Sequence, residues 1–165
     1  MNRVTIRQIC QDDVESLHPC LDSVARERRY LGFTRAAPIE ETRKSLVEDM
    51  QRGVIRLIAL DESKVVGWCH IRPDRWEGFT HTGWLGMSVL KEYRGQGIGS
   101  ALLHQTLVEA RNRAWKESNS VFLHPTLQPS VSTRNSRSKS KVERRKPENL
   151  KEHMTISSLW RFFLI

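Results

Sequence analysis

Arg94-Gly95-Gln96-Gly97-Ile98-Gly99-Ser100 is the stretch of this chain best equipped for chemistry. Its alternating glycines allow a sharp backbone turn and leave no Cβ in the path of an approaching group. Before them, Trp84–Leu90 is apolar and long enough for one buried strand. After them, Leu103, Leu107, Ala110 and Ala114 recur at helical spacing. A strand, a glycine-rich turn and a helix start therefore follow one another. The first turn of a helix leaves backbone N–H groups without intrahelical acceptors and carries the positive end of the helix dipole. Such a turn suits a phosphate, and Arg94 at its mouth would add a charge-assisted contact. The competing reading is a plain strand–helix connection whose glycines serve only the turn.

The elements that would position this turn are readable in outline. Val4, Ile6 and Gln8 alternate with Thr5, Arg7 and Ile9 in an imperfect strand pattern. Asp12, with Glu15 three residues on, reads as a helix N-cap with its capping-box partner. Val14, Leu17, Leu21 and Val24 give that helix an apolar face, and Pro19 inside it predicts a kink or a restart. Arg26-Glu27-Arg28-Arg29-Tyr30 closes the segment with charge. Pro38 suits the first position of a second helix, which runs through Ile39, Arg43, Leu46, Val47 and Met50 to Gly53. Val54–Leu60 and Val65–Ile71 read as an antiparallel strand pair around Asp61–Lys64. A loop, Pro73–Gly83, leads into the central strand, and Val121–Leu123 reads as one more strand.

The segment Arg94-Gly95-Gln96-Gly97-Ile98-Gly99 closely resembles the Arg/Gln-x-x-Gly-x-Gly/Ala signature of the GNAT superfamily of N-acetyltransferases. The agreement extends to the strand before it, the Lys91-Glu92-Tyr93 lead-in and Ala101-Leu102-Leu103 after it. A Walker loop is excluded because no Gly-Lys-Ser/Thr ending follows, and a dinucleotide fingerprint because Ser100 stands where its third glycine belongs. The resemblance spans about residues 3–123. It implies an α/β (α+β) acyl-CoA N-acyltransferase-like fold: a mixed, mostly antiparallel sheet flanked by helices in the order β-α-α-β-β-β-α-β. It also implies acetyl-CoA as acetyl donor and an amine as acceptor. The backbone of Met87, Ser88 and Val89 would hold the pantetheine arm as an added strand, and one of their N–H groups would face the acetyl oxygen. The amides of Gly95, Gln96, Gly97, Ile98, Gly99 and Ser100, with Arg94 beside them, would hold the pyrophosphate.

Composition limits the alternatives. The net charge of +8 is concentrated in the tail: residues 1–120 hold 18 Lys and Arg against 16 Asp and Glu, residues 121–165 hold 9 against 3. The folded body therefore need not bind a polyanion. Met1–Thr5 lacks the apolar core of a signal peptide, and no apolar run is long enough for a membrane span. Cys10, Cys20 and Cys69 form an odd, widely spaced set that reads as reduced thiols in a cytoplasmic protein. The six histidines form no metal-ligand grouping, so no metal is expected, and Cys69 and His70 should point to opposite faces of a strand.

The chain divides into an expected N-acetyltransferase domain, 3–123, and a basic, Ser/Arg/Lys-rich tail, 124–165, whose composition does not favour order. Family members carry an Asn…Ala…Leu-Tyr-Glu-Lys-x-Gly-Phe segment after this point, and the tail has no counterpart of it. The apolar end, Ile156–Ile165, reads as a final strand. No single catalytic residue is assigned: His70, His81, Glu77 and Glu92 are the candidate bases, and the tyrosine that serves as leaving-group acid in the family belongs to the absent segment. The expected function is acetyl transfer to a primary amine of a protein N-terminus or a small molecule, by direct attack in a ternary complex. A CoA-binding remnant with impaired turnover, and a domain whose basic tail binds nucleic acid, stand as alternatives. No membrane partner is expected, and self-association into a homodimer stays open.

Overall fold

A computed structural model describes residues 4–74, 82–113, 120–123 and 153–155. The strands form one six-stranded sheet in sequence order: β1 (Thr5–Gln8), β2 (Ile55–Asp61), β3 (Lys64–Pro73), β4 (Thr82–Val89), β5 (Ser120–Leu123) and β6 (His153–Thr155). The first four are antiparallel neighbours, β5 runs parallel to β4, and β6 is antiparallel to β5. Three helices, α1 (Val14–Arg26), α2 (Ile39–Gln51) and α3 (Ile98–Asn112), cover the sheet. This is the expected mixed, mostly antiparallel architecture in the expected element order.

The two faces of the sheet are assigned by alternation along β3 and β4. A Cβ at Gly67 would lie 3.3 Å from Leu102 of α3, and one at Gly99 of α3 would lie 3.7 Å from Met87. Odd-numbered residues of these strands therefore face α3. Trp68, His70 and Arg72 line a cavity together with residues of α1 and α2, so even-numbered residues face the other way. Cys69 and His70 accordingly lie on opposite faces. The core fills both sides: Val14, Leu17 and Leu46 on one, Leu102, Leu103 and Leu107 on the other, all fully buried. Burial of this kind is the main favourable contribution to folding. Cys20 and Cys69 are buried free thiols, and desolvation pushes each up to about 12, so neither is a reactive thiolate.

Three local features differ from the sequence reading. A short 3-10 turn, Gln11–Asp13, precedes α1, and Asp13 rather than Asp12 takes the capping role. The reason lies in β1. Arg7 donates two hydrogen bonds of 2.7 Å to the Asp13 carboxylate, which also accepts the Cys10 N–H at 2.8 Å, while Asp12 stays exposed. Helix α1 runs through Pro19 without a break, because Pro19 and Glu15, whose carbonyl loses its donor, both sit on the exposed side. Pro38 precedes α2 instead of beginning it, and its carbonyl accepts the Glu41 and Thr42 amides. Residues of the tail also return as β6 to cover part of β5; the strand expected at 156–165 lies outside the described residues.

Burial raises the Asp13 pKa, but the Arg7 and Cys10 hydrogen bonds outweigh it and hold the carboxyl below its ordinary value. A depressed folded-state pKa contributes stability above the unfolded pKa and loses it as pH falls through the folded one. Asp13→Asn is therefore expected to destabilise the protein by about 1–3 kcal/mol at neutral pH. The deficit should shrink once pH drops below about 4. Urea unfolding of both proteins at pH 7 and pH 3 measures this.

Candidate functional site

The site starts from the unequal pairing of β4. On one side β4 pairs with β3 along its whole length, from Pro73↔Gly83 to Gly67↔Val89. On the other, β5 pairs only with Thr82–Leu85, so among the described residues Gly86–Val89 have no partner on that edge. Asp74 N donates to Thr82 O and Leu90 N to Val66 O, which places the even-numbered residues of β4 in the hydrogen-bonded pairs with β3. Met87 and Val89 therefore turn their backbone groups to the open edge. Ser88, buried at 8% exposure, directs its backbone to β3. Of the three residues expected to carry an added strand, the outer two present the hydrogen-bonding groups.

A 3-10 turn, Lys91–Tyr93, and the glycine segment connect this edge to α3. Gly95 and Gly97 have φ of +74° and +79°, the left-handed region that favours glycine, and nothing lies within 4 Å of a Cβ at either. Gly97 is the N-cap of α3 and supplies no side-chain cap, and the first turn holds no acidic residue. The N–H groups of Ile98, Gly99 and Ser100 thus belong to an uncapped helix start. Gly95, Gln96, Gly97 and Ser100 are exposed. Open backbone, positive dipole and the absence of carboxylates from the first turn would suit an anion here.

Arg94 stands at the mouth of the turn with its side chain already engaged. Its Nε donates to the Val89 carbonyl at 2.7 Å, and its terminal nitrogens donate to both Glu27 oxygens at 2.8 and 2.5 Å. The guanidinium also lies 4.7 Å from the centre of the Tyr30 ring. The Glu27 hydrogen bonds raise the Arg94 pKa, and the same bonds lower that of Glu27. The residues just after α1 are in this way tied to the end of β4.

On the α1/α2 face lies a cavity of about 560 Å³. Leu17, Leu21, Phe33 and Trp68 supply apolar wall, while Arg35, Arg56, His70 and Arg72 supply polar groups. His70 connects the cavity to β4. It pairs with Gly86 across the strands, and its ring occupies the space where a Gly86 side chain would stand, with Cε1 2.5 Å and Nε2 2.8 Å from that Cβ position. The imidazole therefore lies against the backbone one residue before Met87.

Comparison with known proteins decides what this arrangement belongs to. Residues 15–131 match the model of the acetyltransferase (GNAT) family. The chain belongs to that family. It is 36% identical over 61 residues to N-alpha-acetyltransferase 30 of Schizosaccharomyces pombe, a match covering 36% of this chain and 41% of that protein. The ribosomal-protein-alanine N-acetyltransferase of Brucella melitensis superposes with a TM-score of 0.65 at 26% identity, covering 72% of each chain. A phosphinothricin acetyltransferase of Sinorhizobium meliloti, solved with acetyl-CoA, gives 0.66 at 19% identity over 76% of this chain and 70% of that one.

Acetyl-CoA is the acetyl donor of the GNAT family. The residues here fit it: the exposed, uncapped turn from Gly95 to Ser100 matches a diphosphate, and the open edge at Met87 and Val89 matches an extended amide-bearing arm. The other expected groups divide. His70 is in the cavity; Glu92 is exposed beside Lys64 at 3.7 Å; Glu77 and His81 lie outside the described residues. Tyr93 donates its hydroxyl to Asp61 at 2.8 Å, which raises its pKa. Among the described residues no cluster of metal-ligating side chains occurs, and no helix is long and apolar enough to cross a membrane.

One group escaped the sequence reading. Asp49, Arg56 and Arg72 meet beneath the cavity, where one Asp49 oxygen accepts from Arg56 at 2.7 Å and from Arg72 at 2.6 Å. Their only sequence signal was charge at inward positions: Arg56 inside an apolar strand and Asp49 beside the apolar stripe of α2.

Because the His70 ring fills the space above Gly86, Gly86→Ala is expected to displace the ring while preserving the fold. Nuclear magnetic resonance should show moved His70 ring resonances with an otherwise native spectrum, and acetyl transfer should fall by tenfold or more. An unmoved ring would contradict the packing described.

Proposed function

We propose that this chain is an acetyl-CoA-dependent N-acetyltransferase that passes an acetyl group to a primary amine by direct attack in a ternary complex. The observation that carries the reading is the open half of β4 leading straight into an uncapped helix start. The named activities of the Schizosaccharomyces pombe and Brucella melitensis relatives, both N-acetyltransferases, favour an amine acceptor. Protein N-termini and small-molecule amines are the two acceptor classes.

The roles of the residues follow from their placement. Backbone N–H groups from Gly95 to Ser100 bind the diphosphate, and the Met87 and Val89 edge aligns the arm by main-chain hydrogen bonds. The bound donor supplies an activated thioester carbonyl and a thiolate leaving group. An N–H of this edge, held rigid by the β3 pairing, stabilises negative charge on the carbonyl oxygen without reorganising. His70, in its neutral form, takes the proton of the incoming ammonium or amine, directly or through one water. Arg94 acts as a positioning residue, since its side chain holds Val89 and Glu27 together.

One observation favours a second reading, CoA binding with impaired turnover. Tyr93 is committed to Asp61, and Tyr30 lies under the Arg94 guanidinium, so the described tyrosines are both engaged elsewhere.

Calorimetric titration separates the readings. The parent is expected to bind acetyl-CoA, and Gly97→Glu to bind it at least tenfold more weakly. That change forces a bulky residue to φ of +79° and adds a carboxylate to the anion site. Release of free thiol on adding amines then marks the transferase. Binding without thiol release supports the impaired form, and absence of binding by a folded parent rejects both.

A further inference from the structure

The cavity behind His70 carries more positive charge than its own carboxylates neutralise. Asp49, 5% exposed, offers a single oxygen to both Arg56 and Arg72. Two guanidinium groups thus share one carboxylate oxygen. The Arg56 side chain is 11% exposed and that of Arg72 is 34% exposed. In each the Nε atom is buried and has no hydrogen-bond partner among the described residues. Arg35 adds a third guanidinium to the lining, and Glu41 is the one acidic residue there among those described.

A buried cation without full compensation is costly, and an unsatisfied donor adds to that cost. Burial and the nearby Arg72 lower the Arg56 pKa, against the pull of Asp49. An oxyanion in the cavity would offset the excess charge, and guanidinium groups bind such a group with paired, directional hydrogen bonds. The apolar wall of Leu17, Leu21 and Trp68 accommodates the carbon skeleton of such a ligand. Adjoining them on the same face, His70 pairs with Arg56 across β2 and β3, lies two residues before Arg72, and reaches β4 beside Met87, where the acetyl group belongs in the reading above.

Resting on that reading, we propose that the acceptor is a small amine carrying an oxyanion, a carboxylate or a phosphonate, held by Arg56 and Arg72 while its amine faces His70. The anion anchors the acceptor beside His70 and aims its nitrogen at the imidazole. Binding and orientation come from the same pair of arginines. Neutral amines of equal size lose this anchor.

The test reads binding apart from transfer. The parent and Arg72→Gln, which leaves the Arg56–Asp49 pair intact, are titrated without acetyl-CoA against 3-phenylpropionate, 2-phenylethylphosphonate and the neutral 3-phenylpropanol. The parent is expected to bind one or both anions at least tenfold more tightly than the alcohol, and Arg72→Gln to lose that preference. Whichever anion binds more tightly identifies the oxyanion. Equal affinity for anion and alcohol, or an unchanged preference in Arg72→Gln with a native circular dichroism spectrum, overturns the proposal. In the transfer assay, phenylalanine should exceed phenylalaninamide at least tenfold in kcat/KM if the carboxylate is preferred, and its phosphonate analogue should do so if the phosphonate is. Anion binding by a chain that does not bind acetyl-CoA would reject the transferase reading and leave the anion site standing.

Discussion

Everything that could act in this protein depends on one strand being paired unequally. β4 has β3 along its full length, which fixes its position, and β5 along only its first half, which leaves Met87 and Val89 without a partner strand on one edge among the described residues. Exposed edge groups are usually a liability, because they template association with another strand. Here the open stretch is only four residues long, and the chain leaves it through a glycine turn that starts a helix. The same feature that would invite a foreign strand suits an extended ligand made of amide units.

The polar chemistry of the donor side comes mainly from the backbone. Arg94 adjoins the turn, yet Glu27 pairs with it bidentately and the Val89 carbonyl accepts its Nε–H. Its charge is largely neutralised locally, so in the proposed reading attraction for a diphosphate would rest on helix N–H groups and the dipole. The guanidinium serves a different end: it joins the segment after α1, which leads into the cavity-lining loop, to the last carbonyl of β4. That loop and the end of the open edge are therefore tied through one side chain.

What could be read from the sequence was local. The strand, glycine turn and helix start lie within some thirty consecutive residues, and each announces itself by periodicity or by glycine. Element order followed for the same reason. Asp13 was missed in favour of Asp12 because both satisfy the local capping rule, and the choice is made by Arg7 on a neighbouring strand. Asp49, Arg56 and Arg72 were missed because their meeting is produced by the β2–β3 pairing and the packing of α2. No spacing rule encodes a contact of that kind. The pairing of β6 with β5 lay beyond local pattern as well, since some thirty residues separate the two strands.

In the proposed reading, the alternation of β3 and β4 would let donor and acceptor meet without sharing a binding surface. Met87 directs its side chain toward α3 and its backbone toward the open edge, whereas His70 and Arg72 face α1 and α2. A donor laid along the edge and an acceptor entering the cavity approach β4 from different directions. They come closest at Gly86, where the absence of a side chain lets the His70 ring lie on the strand itself. Any larger residue there would move the imidazole away from the edge and separate the proton acceptor from the carbonyl site. With His70 as the proposed base on β3, one strand removed from the amides proposed to polarise the carbonyl, the two groups would stand on separately fixed supports. Their relative geometry would then be set by strand pairing rather than by a loop.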